Sequence, residues 1–246
     1  LAIPLRTRIE MVRDKSAFRG MLAWVTTDEY SRIVDNYCEL LDSHERRYFE
    51  SLHFERRRIS YLLGRFAAKN AVAGLVDETD FMKLGIVPGV FNQPVVHQPT
   101  SEVVGVSISH SGDVACALAF PQVHPMAIDI EQIDATKVDA IKAHIAPAEL
   151  DLTEHDRPPE EVLCTLIWTA KEALSKSLGC GMTAPFELME TTAIVVDSAA
   201  FCGRFKNFSQ YKFRSWVTTN YIITIVSPRK SELKTTIQTM LDDIEC

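Results

Sequence analysis

One stretch of sequence occurs twice. Phe66 to Val72 reads F-A-A-K-N-A-V and Trp168 to Leu174 reads W-T-A-K-E-A-L. A helix start precedes each, LLDSHE at Leu40 to Glu45 and IAPAEL at Ile145 to Leu150, at nearly matching separations. Further out, the strand MLAWVTT matches MAIDIEQ, and the hairpin GVSISHSGDVACALAF has the same length as KFRSWVTTNYIITIVS, with a turn near the middle of each. A weak internal repeat of this kind restricts the chain to two copies of one design. Each copy, of about 120 residues, runs strand, helices, helix and antiparallel strands, which is an α+β pattern.

The boundary is expected in PQVHPM, Pro121 to Met126, where two prolines break the strand pattern, giving halves of 1–122 and 123–246. TEHDRPPEE, Thr153 to Glu161, separates the helix starting near Pro147 from the helix that carries WTAKEALSK and is the expected mobile loop. With 246 residues, 46% of them hydrophobic and 24% charged, the chain can bury a substantial core. Apolar runs such as YIITIV are strand-sized, and the amino terminus lacks a charged-then-apolar secretory pattern. A soluble, cytoplasmic protein with no membrane partner is expected. Six cysteines without a C-x-x-C pair read as reduced thiols. A net charge of -7 argues against a nucleic-acid partner, which needs a basic face to displace counterions.

Chemistry concentrates in the second copy. Asp129 and Glu131, at i and i+2 of a predicted strand, project to one side, and Glu172 and Lys176, at i and i+4 of a predicted helix, share a face. Three carboxylates beside an ammonium suit a hard cation that holds phosphate oxygens, Mg²⁺ or Mn²⁺. The first copy has Val25 or Trp24 and Thr26 or Thr27 at the strand positions, depending on register, and Asn70 on the helix, so the metal belongs to the second. The first copy instead has a polar hairpin tip, Ser109 to Asp113, where His110 and backbone donors can meet a phosphate. Its counterpart is the plain Val217 to Asn220. A run of arginines between Arg46 and Arg65 makes a local positive field, although most such side chains simply solvate a helix face.

In this order SISHSG, IDIE and WTAKEALSK resemble the 4′-phosphopantetheinyl transferases of the surfactin type, with W-x-x-K-E-x-x-x-K intact as Trp168, Lys171, Glu172 and Lys176. The resemblance implies a pseudo-twofold pair of similar α+β halves with the ligand in the cleft between them, active as a monomer. It implies transfer of the phosphopantetheine arm of coenzyme A to a serine of an apo acyl- or peptidyl-carrier protein, with release of 3′,5′-ADP. Asp129, Glu131 and Glu172 are then the Mg²⁺ ligands, Lys176 the group that neutralises or protonates the leaving phosphate, and Ser109 and His110 coenzyme A phosphate contacts. Arg57, and after it Arg65, match the basic positions of the family's R-x-x-x-[FY]-L-x-G-R stretch, Arg57 reaching the 3′-phosphate. Glu149 matches an acid that some members use to deprotonate the acceptor serine, and it also reads as a helix-cap residue. Lys171 fills a phosphate role or covers apolar surface with its stem. Many relatives have Lys-Pro ahead of the hairpin; here Gln93 and Pro94 stand there, keeping a donor but not its charge.

Two rival classes are separable. A metal-dependent nuclease also clusters acids with a lysine, but the acidic balance and the missing basic, aromatic-studded face speak against it. A non-catalytic coenzyme A or carrier-protein binder of the same fold would not need the intact acids and Lys176.

Overall fold

The computed structural model describes residues 5–97, 103–151, 157–197 and 199–245. The chain separates into two compact units, the first comprising Leu1–Pro125 and Glu232–Ile244, the second Met126–Ser231.

In the first unit β1 (Leu5–Arg13) and β2 (Ser16–Thr26) form a hairpin, followed by the helices α1 (Tyr30–Val34), α2 (Tyr37–Leu40), α3 (Ser43–Ser51) and α4 (Glu55–Val76). Then come the strands β3 (Gly85–Pro88), β4 (Pro94–His97), β5 (Val104–Ser111) and β6 (Val114–Pro121). The sheet is antiparallel in the order β1-β2-β6-β5-β4-β3. The long helix α4 packs on β2, β6 and β5. The strand side of that contact is small, Ala23 and Val25 with Ala115, Ala117 and Ala119, which lets Leu62, Phe66 and Ala71 of the helix approach closely. The expected hairpin is present, and Gly112, at φ 55, supplies the positive φ that its tight two-residue turn requires.

The second unit repeats the plan. It contains β7 (Ala127–Gln132), α5 (Val138–Lys142), α6 (Pro147–Leu150), α7 (Glu160–Leu178), β8 (Thr191–Asp197), β9 (Ala200–Phe205), β10 (Tyr211–Val217) and β11 (Tyr221–Pro228). Its antiparallel sheet has the order β7-β11-β10-β9-β8, which is β2-β6-β5-β4-β3 over again, and α7 lies on β7, β11 and β10 as α4 lies on its own strands. Leu163, Leu166, Ala170 and Leu174 meet Phe213, Ile222 and Val226 in its core. Of the expected loop at Thr153 to Glu161, residues 153–156 lie outside the described residues, and Glu160 already begins α7.

Two features set the units apart. The first has β1 outside β2, whereas β7 ends its sheet. The chain also returns to the first unit at its end. There β12 (Glu232–Leu233) pairs with β1, and α8 (Gln238–Glu245) buries Met240, Leu241 and Ile244, while Trp24 Nε1 donates to Asp243 Oδ2 at 3.2 Å. The reading of 123–246 as one half therefore differs from the unit that the contacts define, because a short amphipathic helix shows which face it buries but not against what.

Pairing fixes the register of the repeat. With the equal-length hairpins superposed, Ile108 corresponds to Ser215 and Ala117 to Thr224. Ala117 pairs with Ala23, and Thr224 with Asp129. The first-unit counterparts of Asp129 and Glu131 are thus Ala23 and Val25, shifted from the sequence alignment because its repeated strands carry no internal marker of register.

Candidate functional site

Strand alternation places Asp129 on the face of β7 that meets α7, and Glu131 two residues on shares that side. Asp129 is 1% exposed, and Lys176 Nζ, from the last turn of α7, lies 2.6 Å from its Oδ1. Glu172, one turn before Lys176, feels both strand acids. Burial first, and the Asp129 carboxylate next, push its carboxyl up to about 7; Lys176 pulls it down and Glu131 pushes it up again. These four groups, predicted from two separate motifs, are brought together electrostatically. Among the described residues no set of three or more His, Cys, Asp or Glu is close enough to hold a metal ion. The chemistry of the donors nevertheless fits a hard cation. They are all oxygen, and Asp129 and Glu131 both raise the Glu172 carboxyl beyond the effect of its burial while Lys176 lowers it.

Sequence reasoning missed what supports this cluster. Thr224, the pairing partner of Asp129, exchanges hydroxyl hydrogen bonds with Thr169 of α7 at 2.8 Å and with Ser215 of β10 at 2.7 Å, all three buried. This ladder fixes the helix against two strands beside the acids. Hydroxyls in a helix and two strands give no periodic signal, so only the register reveals it.

Glu149 and Lys171 have a different environment. Both are 0% exposed, and their ion pair is 2.6 Å long. The remaining capacity of Glu149 is taken by the backbone N–H of Ala146, by the N–H and hydroxyl of Thr191, each at 2.8 Å, while Lys171 also donates to the His144 carbonyl at 2.8 Å. This is the helix-cap reading of Glu149: a base needs a path to the acceptor hydroxyl, and this carboxylate is enclosed and saturated. Lys171 likewise ends in protein, which removes it from contact with a phosphate. The first unit carries the same device. Glu45 caps α3 with Asp42, accepts from the Ile86 N–H at 3.3 Å and pairs with buried Lys69 at 2.6 Å. The lysine that both halves of the repeat share is thus an internal tie.

The first-unit residues are arranged around the hairpin tip. Ser109 is buried; His110 is exposed and its Nε2 lies 2.6 Å from Ser60 Oγ on α4, a partner that no motif singles out. Arg57, exposed in the first turn of α4, precedes Ser60 by three residues and so shares its face. Arg65 is engaged elsewhere, with Nε 3.3 Å from Glu45 and its guanidinium stacked 4.8 Å from the Tyr61 ring. Gln93 folds over its own turn and accepts from the Phe91 N–H at 2.9 Å.

Among the described residues no helix is long and apolar enough to cross a membrane. No curated protein matches the chain. Among solved structures, a holo-(acyl-carrier-protein) synthase from Bacillus anthracis, in complex with CoA (3′,5′-ADP), is 23% identical with a TM-score of 0.38, covering 47% of this chain and 97% of its own. A holo-ACP-synthase from Plasmodium yoelii is 15% identical with a TM-score of 0.37, over 47% and 95%. A Helicobacter pylori holo-[acyl-carrier-protein] synthase in complex with coenzyme A is 17% identical with a TM-score of 0.34, over 40% and 95%. The family model of the 4′-phosphopantetheinyl transferase superfamily matches residues 125–226, the stretch that holds Asp129, Glu131, Glu172 and Lys176. By that match the stretch 125–226 is similar to the 4′-phosphopantetheinyl transferase superfamily.

Proposed function

We propose that this protein transfers the 4′-phosphopantetheine arm of coenzyme A to a serine of an apo carrier protein and releases 3′,5′-ADP, in the manner of the surfactin-type enzymes. The observation that carries this reading is the coupled set of Asp129, Glu131, Glu172 and Lys176 inside the segment that matches the family.

In this reaction the serine hydroxyl gives its proton to solvent as its oxygen attacks the β-phosphorus of coenzyme A, and the bond from that phosphorus to the bridging oxygen breaks, so negative charge grows on the departing ADP. Asp129, Glu131 and Glu172 would hold a divalent cation, Mg²⁺ or Mn²⁺, which when bound neutralises diphosphate charge and makes the phosphorus more electrophilic. Lys176 meets the growing charge on the leaving phosphate. It is only partly exposed, at 24% of its side chain, so its field there is less screened than that of a surface lysine. The Thr224 ladder keeps α7 in place while charge shifts. In the first unit His110, oriented by Ser60, and Arg57 supply donors to the phosphates of coenzyme A, with Ser109 beside them on β5. Because one chain contains both repeats, it acts as a monomer, which sedimentation at assay concentration checks.

Intact-mass spectrometry of an apo carrier protein incubated with this protein, coenzyme A and Mg²⁺ tests the reading. A gain of one phosphopantetheine, absent with EDTA, supports it. No gain across fatty-acid, polyketide and peptide carriers, with coenzyme A still bound, replaces it with the binding-only alternative.

A further inference from the structure

The repeat gives the first unit a counterpart of the acid cluster, and there the acids are replaced by neutral residues beside two arginines. Ala23 and Val25 stand for Asp129 and Glu131, Asn70 for Glu172 and Gly74 for Lys176. The extra strand β1 then introduces arginines: Arg6 pairs with Ala23 and Arg8 with Met21, so both leave the sheet on the side that meets α4. A Cβ on Gly74 would lie 3.1 Å from Arg6 Nη1, so the guanidinium packs closely over the bare helix surface at this position. Arg6, Arg8, Asn70 and Gly74 line a cavity of about 780 Å³ whose apolar side includes Met21, Ala73 and Phe81.

Neither Arg6 nor Arg8 has an ion-pair partner among the described residues. Asn70 is 2% exposed and uses Nδ2 once, to the Phe66 carbonyl at 2.8 Å. Two acids also line the cavity. Glu78 is held by the N–H groups of Thr79 and Asp80, at 2.9 and 3.0 Å, and by Lys83 at 3.4 Å; Asp77 ends α4 in a left-handed conformation and is exposed. Among the described residues, the charged groups of this lining without an ion pair are Arg6 and Arg8 against Asp77, a balance of one positive charge.

We infer that this cavity is a second ligand site, which binds a small organic phosphate without a metal. Two guanidinium forks on alternate strand residues match the oxygens of a phosphate dianion, the Asn70 amide adds a neutral donor, and the apolar side takes the organic portion. The inference stands whether or not the chain is a transferase.

The test is a ¹H–¹⁵N NMR titration of the full chain at constant ionic strength, in EDTA, with inorganic phosphate and with phenyl phosphate. Saturable shifts are expected at the Asn70 side chain, the Gly74 amide and the Arg6 Nε, with phenyl phosphate the tighter of the two. Arg6→Gln and Arg8→Gln should each weaken binding about tenfold, as loss of a charge-assisted contact does. Arg6→Lys, which keeps the charge but not the fork, should weaken binding by a smaller factor and serves if a glutamine variant fails to fold. Shifts that never saturate, that centre on His110 or Lys176, or that persist unchanged in the variants would overturn the site.

Discussion

Glu149 without Lys171 is a buried anion with no counter-charge. Lys171→Met should therefore destabilise the protein by about 3–5 kcal/mol, the range for breaking a buried pair from one side. Lys69→Met should cost less, because Arg65 remains 3.3 Å from Glu45. Denaturant unfolding of the two variants checks the order, and equal losses would remove Arg65 from the account. At the hairpin, Ser60→Ala frees the His110 ring and should raise KM for coenzyme A roughly fivefold with kcat little changed, the pattern of lost ground-state binding. An unchanged KM would take Ser60 out of the site. The acids and Lys176 were legible in sequence because strand and helix spacing set which side chains share a face. Glu149 was not settled, since the same glutamate spacing serves a cap and a base, and only burial distinguishes them.

At the scale of the element, α4 carries both a packing face and a charged one, and Tyr61 sits between them. Burial pushes its phenol from 10.0 up to about 12, while Arg65 pulls it down and Glu45 pushes it up. The fold thus favours the protonated phenol. That contribution is complete below pH 10 and is lost as pH rises through about 12. Tyr61→Phe should flatten stability across this window relative to the parent chain in alkaline denaturation; parallel curves would place the phenol in a water-like setting. Gly64 belongs to the same helix, and a Cβ there would make an ordinary 3.4 Å contact with Ile108. Gly64→Ala should accordingly stabilise the chain by about 0.5–1 kcal/mol through helix propensity, read as a rise in the denaturation midpoint. Strands and helices were legible from turn residues and periodicity, yet the register of β2 against β7 was not. Ala23 and Val25 emerge as counterparts of the acids only through backbone pairing, which no local pattern encodes.

Over the whole molecule, the repeat set the architecture and its departures set the chemistry. The same strand order, the same long helix and the same buried lysine recur, while acids at one position become neutral residues and arginines at its counterpart. The two-copy plan was legible because the repeated blocks are long enough to align. The placement of α8 and β12 with the first unit was not, since contacts far apart in sequence leave no trace in either segment. In the transfer we propose, the acid cluster of the second unit drives the chemistry. It is tested most directly by the rate of carrier-protein mass gain, with coenzyme A and Mg²⁺, for the parent chain and Glu172→Gln, each first shown to be folded by circular dichroism. The account predicts at least about a hundredfold loss of rate in the variant, the scale expected when a metal ligand is removed. A folded Glu172→Gln protein that transfers at the parent rate would contradict it.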